Sequence, residues 1–72
     1  MIPEKYFTAI VIIKDQQTGE IKALKYRNIR NFDNSLKRFQ KFAESKGASE
    51  INLYGKISRK FERKIKIGTL TQ

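Results

Sequence analysis

The chain has 72 residues, of which 16 are basic and 7 acidic, for a formal net charge of +9. Cysteine and histidine are both absent, which removes disulfides and the usual ligands of zinc, iron–sulfur clusters and haem. Neither a metal nor a cofactor is therefore expected.

The length predicts one domain over residues 1–72. A domain this small buries only about 60% of its unfolded surface. Its stability should be about 5 kcal/mol at most unless a partner contributes. With 39% apolar and 32% charged residues the composition favours folding over disorder. The longest apolar run, Ala9 to Ile13, is strand-sized, far from the roughly 20 residues that span a bilayer. Met1 to Tyr6 lacks the charged and apolar regions of a signal peptide. The expectation is a cytoplasmic protein with no membrane partner.

In chain order, Tyr6 to Lys14 is rich in β-branched and aromatic residues and predicts a strand. The period of two puts Phe7, Ala9, Val11 and Ile13 on one face and Tyr6, Thr8, Ile10 and Ile12 on the other. A strand apolar on both faces belongs in the middle of a sheet or under a second surface. Asp15 to Glu20 predicts a hairpin turn, with Gly19 supplying a positive φ at the end of a four-residue loop. The implied register pairs Ile13 with Lys22, Val11 with Leu24 and Ala9 with Tyr26. Ile21 and Ala23 then join Ile10 and Ile12 on the second face.

Asn31 and Asp33 are the expected helix N-caps. Phe32, Leu36, Phe39 and Ala43 recur at helical spacing, with Phe42 on the flank. Phe39 is expected to be fully buried. Gly47 reads as the helix stop, with Lys46 near the negative end of the dipole. Ser49 to Tyr54 predicts a third strand, Gly55 to Ser58 a turn, and Arg59 to Ile67 a fourth strand. In that last strand Phe61, Ile65 and Ile67 share a face with Arg63, and Lys60, Glu62, Lys64 and Lys66 share the other. The fold class is thus α+β: a small ββαββ domain with an antiparallel or mixed four-stranded sheet and one helix on one face. Pro3 precedes the first strand and disrupts nothing.

Catalysis is not expected. Histidine, the usual general base, is missing, so Ser35, Ser45, Ser49 and Ser58 lack a triad partner. The seven acids are scattered, and Asp15 with Glu20 reads as turn chemistry rather than a carboxylate pair. The four glycines stand singly, which excludes phosphate-binding glycine loops.

The positive signal is charge. Lys37, Arg38 and Lys41 fall on the helix face opposite the apolar stripe; the plain alternative is a solvated face. The segment Lys56 to Lys66 is denser in cations, with Glu62 its one acid. As a strand it would present Lys60, Lys64 and Lys66 as a ladder at about 7 Å per two residues, with Arg59 and Arg63 on the opposite side. The plain alternative there is an edge strand guarded by lysines. Tyr6, Tyr26 and Tyr54 are candidate base-stacking residues, with Tyr54 on the face away from Ile51 and Leu53; the plain alternative, and the commoner role for each, is packing at the rim of the core.

The signatures of RRM, KH and zinc-finger domains are absent. The ββαββ order with basic strands resembles, in outline, several small ribosome-associated and phage or mobile-element proteins. Nucleic acid, DNA or RNA, is the first expected partner, held mainly through phosphates by Lys60, Lys64, Lys66, Arg59, Arg63, Lys37, Arg38 and Lys41. The alternative is a small protein-interaction module, such as a phage- or mobile-element-encoded modulator of a host complex. That module would act through edge strands or through a basic patch on an acidic protein surface. A homodimer or other partner is expected to cover Ile10, Ile12, Ile21 and Ala23.

Overall fold

The computed structural model describes residues 4–67, so Pro3 and Gly68 lie outside the described residues. Strand β1 (Tyr6–Lys14) is followed by β2 (Ile21–Arg30), helix α1 (Asp33–Ser45), β3 (Ala48–Gly55) and β4 (Phe61–Lys66). The four strands form one open sheet in the order β2-β1-β3-β4. Every pairing is antiparallel, so the mixed alternative is not the one adopted. The apolar β1 is internal, as its two-sided pattern requires.

The first hairpin follows its predicted register, with Ile13 opposite Lys22, Val11 opposite Leu24 and Ala9 opposite Tyr26. Gly19 has φ +77. The Asp15 carboxylate accepts the amides of Gln17 at 2.8 Å and Thr18 at 3.2 Å. These bonds favour the ionised form and hold the Asp15 carboxyl below its ordinary value.

The helix packs on one side of the sheet, against β2 and β3. The core there comprises Phe7, Ala9, Val11, Leu36, Ala43, Ala48, Ile51, Leu53 and Ile67. Ala9, Ala43, Ile51 and Leu53 have no accessible surface. Phe39 is only partly buried, contrary to expectation. It sits at the rim of the helix–sheet interface, edge-on to Tyr26 at 5.4 Å and tilted against Phe42 at 5.9 Å.

Neither predicted N-cap is used. Phe32 occupies the cap position with extended backbone and no side-chain cap bond. Asn31 is drawn away because its side-chain amide donates to the Glu4 carbonyl at 2.9 Å. Asp33 instead lies in the first turn, where its charge suits the helix dipole. Gly47 stops the helix with φ +87, its amide donating to the Glu44 carbonyl at 3.0 Å.

Each strand pairing carries one irregularity. Between Phe7 and Ala9 the β2 partner jumps from Ile29 to Tyr26, which leaves one extra residue on β2. Asn28 absorbs it with φ +62. The bulge returns Ile29 to the helix side, where it packs on the core. A second bulge, where Ile12 faces Glu50 and Ile13 faces Ala48, turns Ala48 into the core. The third lies in β4. Leu53 faces Arg63 but Tyr54 faces Phe61, so Glu62 is the extra residue.

That third bulge overturns two expectations. Phe61 leaves the Ile65 face and joins Tyr54 on the side away from the helix, ring centroids 5.7 Å apart and edge-on. The fourth strand starts at Phe61 rather than Arg59, because Gly55 and Lys60 close the hairpin. The Gly55 amide donates to the Lys60 carbonyl at 2.9 Å, and the Arg59 amide to the Gly55 carbonyl at 2.9 Å.

Candidate functional site

The side of the sheet away from the helix carries no second layer among the described residues. Its cross-strand rows follow from the register. One runs Lys25, Ile10, Asn52, Lys64, and the next runs Ala23, Ile12, Glu50, Lys66. Beyond Ile10, Thr8 faces Tyr54, which faces Phe61. The middle of this face therefore sets Ile10, Ile12 and Tyr54 beside the polar Thr8, Asn52 and Glu50, with lysines on both edges and Phe61 on the β4 edge.

At the end nearest the β3–β4 hairpin the face sinks into a shallow depression of about 610 Å³. It is lined by Thr8, Ile10, Lys25, Arg27, Tyr54, Gly55, Lys56 and Arg59. Four of these eight are cations, and none is a carboxylate. With no anion built into the wall, the field in the concavity is positive and open to an anionic ligand.

Local structure puts each cation there. Lys25 and Arg27 alternate away from Leu24 and Tyr26. Lys56 is held by two contacts: its ammonium donates to Asn28 Oδ1 at 2.6 Å and lies 5.6 Å from the centre of the Tyr6 ring. The Asn28 bulge thus supplies the acceptor that fixes a cation on the far side of β1. The loop bearing Lys56 is itself anchored, since the Glu4 carboxylate accepts the amides of Ile57 at 3.0 Å and Ser58 at 3.3 Å. Gly55 leaves room for that carboxylate; a methyl group there would come within 2.9 Å of Glu4 Cγ.

Arg59 is placed by strain. The two hairpins share one hydrogen-bond pattern. Asp15 N donates to Glu20 O and Gly19 N to Asp15 O, as Gly55 N does to Lys60 O and Arg59 N to Gly55 O. Gly19 and Arg59 thus occupy equivalent left-handed positions, with φ +77 and +61. Glycine meets this requirement without penalty, whereas arginine does not.

The expected cationic residues are divided by the structure. Arg59 lines the depression, and Lys64 and Lys66 lie on the same face, opposite Asn52 and Glu50. Lys60 precedes β4 and is not a rung of the expected ladder. Arg63 faces Leu53 and so projects to the helix side. Lys37, Arg38 and Lys41 are exposed on the helix, across the sheet from the depression. Lys64 makes the only ion pair among the described residues, with Glu50 at 3.7 Å; both groups reach solvent, so the pair is worth about 0–1 kcal/mol.

Lys25, Arg27 and Lys56 were not singled out by sequence reasoning. The first two were within reach, because the alternation that paired Leu24 and Tyr26 with the core sends them outward. Lys56 depended on an unforeseen bulge. Of the three tyrosines, Tyr26 packs against Phe39 and Phe42, Tyr6 lies beneath Lys56, and Tyr54 is on the open face.

No helix among the described residues is long and apolar enough to cross a membrane. No group of three or more potential metal-ligating side chains occurs among them. Compared with known proteins, the chain matches no family model, no curated protein and no solved structure.

Proposed function

We propose that this chain is a non-catalytic nucleic-acid-binding accessory protein that grips phosphates with the open face of its sheet. The observation that carries this reading is the depression walled by Lys25, Arg27, Lys56 and Arg59 with no carboxylate in its lining. Lys64 and Lys66 extend the same positive surface along β4. The helix cations are left out of the site, because the sheet separates them from it.

The proposal is tested by fluorescence anisotropy with labelled oligonucleotides at about 50 and 200 mM salt. Affinity should fall steeply, each phosphate contact adding about −0.7 (single strand) or −0.9 (duplex) to the slope of log K against log salt. The double reversal Lys25→Glu/Arg27→Glu should reduce affinity by at least about tenfold, since a direct ionic contact is worth well over 1.4 kcal/mol when inverted. Lys37→Glu/Lys41→Glu should bind as the parent does, apart from a small long-range effect that salt removes. Absence of binding by the parent at about 50 mM salt would overturn the proposal. An acidic protein surface would then be the partner to examine.

A further inference from the structure

Resting on that reading, we infer that the ligand is a single polynucleotide strand, with a base stacked on Phe61. Phosphate attraction alone does not choose between duplex and single strand; an exposed aromatic ring on the β4 edge of the face does. Phe61 is 54% exposed although it lies in a strand. It is on this face only because Glu62 bulges out, and Tyr54 braces it edge-on at 5.7 Å. An exposed aromatic ring beside a cationic concavity is a surface for a base face.

Base faces in a duplex are covered by their neighbours, whereas an unpaired base can be splayed onto a protein ring. Phe61 stands on the same edge strand as Lys64 and Lys66, so a single strand running along β4 can set phosphates on those cations and turn a base onto the ring, whereas a duplex keeps its base faces stacked on one another.

The experiment compares the whole protein on a 12-nucleotide oligo(dT), the matching oligo(U) and a blunt 12-base-pair duplex, together with a single strand carrying 2-aminopurine. The expected result is at least about tenfold tighter binding to single strands than to duplex at about 150 mM salt, with 2-aminopurine fluorescence quenched as the base stacks. Phe61→Leu should weaken single-strand binding by about five- to hundredfold, the range set by base–aromatic stacking, and should abolish the quench. Phe61 is largely exposed, so the variant should keep the parent's circular dichroism and melting temperature. Equal affinity for duplex and single strand, or a Phe61→Leu variant that binds and quenches like the parent, overturns the inference while nucleic-acid binding stands. Absence of binding to every oligonucleotide at about 50 mM salt overturns the underlying reading as well.

Discussion

Arg59 makes opposite demands on stability and on binding, and one substitution separates them. At φ +61 its backbone is left-handed, which costs a non-glycine residue about 1–2 kcal/mol. Arg59→Gly removes that strain but adds about 0.5–1 kcal/mol of unfolded-state entropy. The net effect is a stabilisation of about 0–1.5 kcal/mol. For a domain of this size it should raise the melting temperature by up to about 12 °C. Arg59→Ala deletes the same guanidinium but keeps the strain, so it should give no such rise. Gly19 in the first hairpin supplies the reverse experiment: a methyl group there meets nothing within 4 Å, and Gly19→Ala should cost about 1 kcal/mol for conformational reasons alone. Both Arg59 variants should bind an oligonucleotide more weakly than the parent, with the salt slope reduced by about 0.7 on a single strand. Thermal melts followed by circular dichroism, paired with anisotropy titrations, measure both effects. An Arg59→Gly protein that melts below Arg59→Ala would refute the strain argument. One that binds as tightly as the parent would remove the reason for tolerating an arginine at this position.

Two further outcomes follow from the core and the first turn. Leu53 has no accessible surface, so Leu53→Ala should cost about 2–5 kcal/mol and leave the domain marginal or unfolded in urea titrations; Phe39→Ala, at the rim, should cost less. Asp15 is favoured as the anion in the folded state, so its contribution is present above the unfolded carboxyl value, about 3.9, and is lost as pH falls through the lower folded value. The stability difference between parent and Asp15→Ala should therefore shrink between about pH 5 and pH 2, and a constant difference in pH-dependent melts would contradict the turn bonding described.

Where alternation continued unbroken, the fold was legible. The first hairpin register rested on Val11, Ile13, Leu24 and Gly19, and the paired strands keep it through Ala9. The helix stripe and the Gly47 stop rested on spacing and on the backbone freedom of glycine. Legibility ended at the bulges. A single extra residue reverses every later side chain, and neither Asn28 nor Glu62 marks its bulge by residue type alone. Unbroken alternation places Phe61 with Ile65 and Lys60 in line with Lys64, whereas the bulge at Glu62 sends Phe61 to the opposite face and β4 begins only after Lys60. The N-cap failed for a related reason. Asn31 and Asp33 are good caps locally, but a contact with Glu4, 27 residues away, took the Asn31 side chain. Four of the six site cations, Lys25, Arg27, Lys64 and Lys66, follow from periodicity. The placement of the other two, Lys56 and Arg59, in the depression required the loop geometry.

The uncovered face also explains why counting apolar faces pointed toward a dimer. Ile10 and Ile12 would be a liability on a bare sheet. Here each is only partly exposed without any second layer among the described residues. Ile10 lies between Lys25 and Asn52, and Ile12 between Ala23 and Glu50. Lysine can lay its aliphatic stem along apolar surface while its charged end stays in water, and Lys25, the cross-strand neighbour of Ile10, stands about 5 Å away, close enough for that shielding. The same arrangement disfavours a second copy placed face to face on this surface, because it would bring Lys25, Arg27, Lys64 and Lys66 against like charges. The polyanion proposed as ligand faces no such repulsion. The proposed polyanionic ligand would neutralise the cations that keep this face open, which fits both the +9 net charge and the lack of a second layer among the described residues.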